Sequence, residues 1–140
     1  MSTLIAIADA VTASLNAGSF GQPFNAERLY QPAFELADLA DLKVSVVPKG
    51  VTIATASRDG SYFDCAVDVG IQKKIADDAE IDGLVDLAEE IADHLRMKRL
   101  DDEPEAVWLS IEHEPVVAAE HLEQQRALTS ILTVTYRVRR

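Results

Sequence analysis

Residues 43–57, KVSVVPKGVTIATAS, run into Arg58-Asp59-Gly60-Ser61 and then into residues 62–73, YFDCAVDVGIQK. Asp-Gly between two β-rich runs is a hairpin signal, with the glycine expected to supply the positive φ that a tight turn requires. The second run alternates strictly. Phe63, Cys65, Val67, Val69 and Ile71 fall on one side, and Tyr62, Asp64, Ala66, Asp68, Gly70 and Gln72 on the other. That pattern predicts a half-buried strand of an antiparallel sheet. The first run is β-branched on both sides of Pro48-Lys49-Gly50. It reads as one long strand kinked or bulged at Pro48, because proline donates no ladder hydrogen bond and is tolerated at an edge or a bulge. A tight hairpin at Pro48 is the alternative.

Outward from this hairpin, residues 2–16 place Leu4, Ile7, Val11 and Leu15 at helical spacing, with Ser2 as N-cap and Asn16-Ala17-Gly18 as the stop. Residues 18–25 read as a loop, residues 27–30 as a short strand closed by Pro32, and Leu36, Leu39 and Leu42 as an amphipathic turn. Residues 79–98 form the strongest helix, with Ile81, Leu84, Val85, Ala88, Ile91, Ala92 and Leu95 as its apolar stripe. Its acidic start and basic end complement the helix dipole. Residues 106–113 predict a strand with Val107, Leu109 and Ile111 on one face and Trp108 on the other. After a connection with a helical turn near residues 118–123, residues 126–138 predict a strand with Leu128, Leu132, Val134, Tyr136 and Val138 inward. The expectation is a single α+β domain over residues 1–140, mainly antiparallel, with a long β-hairpin and two main helices packed on one face.

Composition narrows the chemistry. With 48% apolar and 26% charged residues, the 140-residue chain can bury a real core. One cysteine, Cys65, allows neither an internal disulfide nor a closed cysteine zinc site. The apolar residues of the first 17 positions lie on one stripe without a basic flank, which is not a signal-peptide pattern, and no uncharged run is long enough for a membrane span. The expected setting is a reducing cytoplasm. A net charge of −11 opposes phosphate binding. It either serves solubility or keeps a surface from holding DNA.

No phosphate-binding loop and no Gly-x-Ser-x-Gly elbow occurs. His94, His113 and His121 match no metal-ligand spacing and read as solvated surface residues. Asp82, Asp86, Glu89, Glu90 and Asp93 read as a solvated helix face, and Cys65 as an inert core thiol. No catalytic residue, cofactor or metal is expected. The candidate interface residues are Arg58, Asp59, Gly60, Ser61 and Tyr62 at the tip of a projecting ribbon, Trp108 as a core or interface anchor, and the C-terminal Arg137, Arg139 and Arg140. The bland readings are an exposed turn and a solvated chain end.

Several segments taken together carry a resemblance: residues 23–32 (PFNAERLYQP), 44–48 (VSVVP), 64–74 (DCAVDVGIQKK), 84–91 (LVDLAEEI) and 129–136 (TSILTVTY). In element order and texture the chain resembles the small neck and tail-completion proteins of long-tailed bacteriophages, and looks most like their tail terminators. The resemblance implies a structural virion protein in the tail or neck, assembled in the host cytoplasm. It implies a homo-oligomer, a hexameric ring at the head-proximal end of the tail tube that stops tube growth. Its partners would be the tail tube protein and a neck, connector or head-completion protein, with DNA passing through unbound. The alternatives are a head–tail joining or head-closure protein, a small hydrolase using surface carboxylates, or a cytoplasmic interaction module.

Overall fold

Two fifteen-residue strands meet at a turn on Arg58 and Asp59, in a computed structural model that describes residues 2–30 and 41–140. In chain order the elements are α1 (Thr3–Ala17), β1 (Ala26–Arg28), β2 (Lys43–Ser57), β3 (Gly60–Lys74), α2 (Asp78–Leu95), β4 (Val107–His113), α3 (Ala119–Gln125) and β5 (Ala127–Arg139). The strands form one sheet in the order β1-β2-β3-β5-β4. Its pairings are antiparallel except for the short parallel contact of β1 with β2. The fold is α+β, as the sequence predicts.

The alternating strand β3 lies at the centre, and its odd-numbered residues face the helices. Cys65, Val67, Val69 and Ile71 are fully buried there, with Val44 and Val46 of β2 and Leu132, Val134 and Tyr136 of β5. Against this face close Ile7, Val11 and Leu15 of α1 and Leu84, Leu87, Ile91 and Leu95 of α2. Burying each such side chain stabilises by about 1.5–3 kcal/mol, so this layer dominates the folding energy. Ser2 caps α1 as the sequence predicts, accepting from Ile5 N at 3.3 Å, and Asp77 caps α2, accepting from Glu80 N at 3.1 Å.

Pro48 behaves as expected. Pairing skips Lys49 between Pro48↔Val67 and Gly50↔Ala66, which is a β-bulge. Among the described residues β1 pairs with β2 only over Val44 to Val46, and the proline lies beyond that pairing.

Several expectations change. The turn needs no left-handed glycine: no glycine among the described residues has positive φ, and Gly60 instead opens β3 opposite Ser57. A second bulge, at Ala56, lies beside the turn and adds local twist there, which a primed turn would otherwise supply. The ribbon does not project alone, because β5 pairs with β3 from Lys74↔Ala127 to Tyr62↔Arg139. Strand β1 begins and ends earlier than residues 27–30, and the backbone of Ala26 is fixed by the side chain of Asn16 at 2.8 and 3.1 Å. Helix α2 stops at Leu95 rather than at residue 98, where Met97 takes a φ of 56°. Its buried stripe includes Leu87 in place of Val85. Leu36 and Leu39 lie outside the described residues.

The faces of β4 are also reassigned. A bulge at Leu109 separates Trp108↔Tyr136 from Ser110↔Thr135. Trp108 and Ile111 therefore both pack on the core, while Val107 turns outward and is 55% exposed. Strict alternation put Trp108 opposite Ile111, and one extra residue overturns that.

Candidate functional site

Eight of the nine interface candidates meet at the tip end of the sheet. The turn residues Arg58, Asp59, Gly60, Ser61 and Tyr62 lie beside Arg137, Arg139 and Arg140, because Ser61 and Arg140 exchange backbone hydrogen bonds of 2.6 and 2.8 Å. Trp108, one strand beyond Tyr136, shares this end but lies on the helix-covered face.

The basic cluster is more engaged than a solvated chain end. Arg137 donates to both oxygens of Asp64 at 2.8 and 3.1 Å and stacks over the Tyr62 ring at 4.4 Å. This hydrogen bonding holds the Asp64 carboxyl below the usual carboxylate range and raises the Arg137 guanidinium. Arg139 donates to Ser57 Oγ at 3.0 Å, and Arg140 donates to Thr3 Oγ1 at 3.1 Å while lying over Phe63. Arg137 thus braces the sheet. Arg58, Arg139 and Arg140 remain exposed and give this end its positive charge.

Two histidines are not the solvated residues the sequence predicts. His94 lies between the two main helices, with Nε2 at 3.0 Å from Ser14 Oγ and 3.1 Å from the Ser14 carbonyl. A carbonyl only accepts, so this nitrogen carries the proton. The ring also meets Phe20 edge-on. His113 faces the core beside the fully buried Ser130, with Nε2 2.6 Å from its hydroxyl. Burial pushes the His113 pKa down, with Glu89 opposing weakly. Cys65 is buried, and that burial pushes its thiol up, which is the inert behaviour expected of it. The α2 carboxylates Asp82, Asp86, Glu89, Glu90 and Asp93 are exposed. Among the described residues no group of three or more His, Cys, Asp or Glu could hold a metal, and no helix is long and apolar enough to cross a membrane.

Two features went unnoticed in the sequence. Past the Lys49 bulge, the even-to-odd change of face carries Val51 and Ile53 onto the helix side, opposite Cys65 and Phe63, yet no helix among the described residues covers them. They are 41% and 61% exposed. The signal was the uncharged run of residues 50–57 between Lys49 and Arg58. At the other edge, Trp108, Leu109, Ile111 and His113 of β4 face Glu89, Ala92 and Arg96 of α2 across an open groove of about 440 Å³.

Comparison with known proteins rests on structure. No known family profile and no curated protein matches the sequence. The fold matches a chain in the virion of a native gene transfer agent particle, with a TM-score of 0.57 and 15% identity. The match covers 99% of this chain and 96% of that one. At that identity the likeness establishes a shared fold.

Proposed function

We propose that this chain is a structural virion protein. In the finer form of this reading, it forms a ring that caps the head-proximal end of a phage tail tube, stops tube growth and joins tail to head. The observation that carries the proposal is the end-to-end correspondence with a virion chain, nearly complete in both directions. Such coverage makes the whole fold the shared unit, rather than a common motif inside a larger protein.

The surface supports the same reading. A ring requires two different surfaces on each subunit that fit one another and close by rotation. This sheet ends in two different edges: the β2 half beyond the bulge and the outer edge of β4. The net charge of −11 suits a wall past which DNA must slide, because clustered lysine or arginine would retain phosphates. The reading assigns the chain no catalysis.

Electron microscopy of the purified protein, alone and mixed with tail tubes, tests this. Rings seated at one end of the tube, with tube growth arrested, are expected. A chain that stays monomeric in the presence of tubes would sink the proposal. Density at another level of the neck would assign head–tail joining or closure instead.

A further inference from the structure

We infer that neighbouring copies join edge to edge, the free half of β2 in one copy adding to the outer edge of β4 in the next. This deepens the proposed ring and rests on that reading for its closure.

The β2 edge argues for a partner. Beyond Arg28↔Val46 and the Leu29 N to Val46 O bond, no strand among the described residues pairs with it. Among the described residues nothing pairs with the outer backbone groups of residues 50–57, which carry no charge and include exposed Val51 and Ile53. An isolated protein blunts such an edge with charge or a covering segment, since it otherwise templates strand addition. The bulge and Pro48 protect only its start.

The β4 edge offers what this strand lacks. It is the last strand of the sheet, and Val107 on it is exposed. A strand laid along it in register would direct alternate side chains into the groove between β4 and α2, where Trp108 and Ile111 are half-covered. Val51 and Ile53 are the apolar pair that would enter. The two edges are also of similar length.

Charge selects the occupant. The uncharged β2 run is bracketed by Lys49 and Arg58, and β4 by Glu105 at one end and Glu112 and Glu114 at the other, all exposed. The cations meet carboxylates in either strand direction. Lys49 also lies 4.0 Å from Asp68 of its own chain, a long pairing with an exposed lysine that a neighbour can compete for. Two β2 edges, or two β4 edges, would face each other with like charge. Complementary placement therefore favours the head-to-tail contact, which is the kind that closes into a ring.

The test uses two full-length variants whose altered residues are all exposed. One carries Lys49→Glu and Arg58→Glu; the other carries Glu105→Lys, Glu112→Lys and Glu114→Lys. Thermal melts verify folding, and native mass spectrometry and sedimentation read assembly, with and without tail tubes. Each variant alone should associate at least ~tenfold more weakly than wild type. Mixed one to one they should recover assembly, because every alternating contact then joins opposite charges. Ile53→Lys should abolish assembly and leave the fold intact. Rings that persist in either charge variant alone, or a mixture that fails to recover, would overturn this contact while leaving the ring reading in place. A wild type that never assembles would overturn both. Recovery in the mixture without attachment to tubes would support the contact and refute the tail-end location.

Discussion

Replacing Tyr136 with phenylalanine should stabilise the protein, against the usual direction for this substitution. Tyr136 is fully buried beneath the helices, and its hydroxyl has no hydrogen-bond partner among the described residues. Burial also drives its ionisation far above the ordinary phenol value. An orphaned buried hydroxyl costs about 1–3 kcal/mol in lost hydration, whereas a satisfied one contributes about 0.5–1.5 kcal/mol. The ring stays, so packing changes little, and removing the oxygen should gain about 1–2 kcal/mol. At about 2.1 cal/mol/K of unfolding entropy per residue, the 140-residue chain has about 0.3 kcal/mol/K at its midpoint. The expected rise in Tm is therefore about 3–7 °C. Circular dichroism melts of the unassembled protein at one fixed concentration would measure it, because assembly would itself shift Tm. A fall of about 2 °C or more would refute the reasoning. It would mean that the hydroxyl is satisfied, with a water shared with Trp108 the obvious source. Trp108 is the cross-strand neighbour, and its indole Nε1 is likewise buried without a partner.

Substitutions at three further sites probe separate parts of the fold. A Cβ at Gly70 would come within 2.9 Å of Ser45 Oγ, so Gly70→Ala should cost about 1–3 kcal/mol in urea titrations. Adding Ser45→Ala should recover at least about half of it, because Ser45 Oγ is buried without a partner and is no loss. Asp77→Ala removes the cap on Glu80 N and should lower stability by about 1 kcal/mol, with Asp77→Asn closer to wild type in the same titration. His113 has a folded-state pKa below its unfolded value, so the unfolded chain takes up the proton first. Its contribution is complete above the unfolded value near about pH 6.5 and is lost as pH falls through the window beneath it. His113→Gln should flatten the loss of the urea midpoint across that window, and an unchanged slope would place the proton uptake elsewhere.

The sequence was most legible where one local period sufficed. The alternation from Phe63 to Ile71 identified the central strand and its buried face, and the 3.6-residue stripes of α1 and α2 identified their core contacts. Reading was least secure where the partner strand decides. The extra residue at Leu109 is set by how β4 lies against β5, and no single-strand pattern announces it. His94 and His113 were misplaced for a related reason. Each depends on a group far along the chain, Ser14 in one case and Ser130 in the other. The short strand near residues 27–30 was legible, but its parallel direction was not, since three residues hold too little pattern to fix direction. At the tip, the sequence located the charged residues. It could not reveal that Arg137 is committed to Asp64 while the uncovered apolar pair lies one strand away.

The unpaired Lys49 also governs which insertions and deletions β2 can absorb. Before it, the even-numbered residues Val44 and Val46 face the helices; after it, the odd-numbered Val51 and Ile53 do. Removing Lys49 would straighten the strand and turn no side chain over. Losing Val51, Thr52 or Ile53 would instead turn everything from there to the hairpin inside out, putting Ala54 where Ile53 stood. A scan of single-residue deletions along β2, scored for soluble protein and for assembly, should find position 49 tolerant on the first score. Positions 51–53 should keep the fold and fail on the second. In this strand, reading-frame arithmetic would separate the part that folds from the part that meets a neighbour.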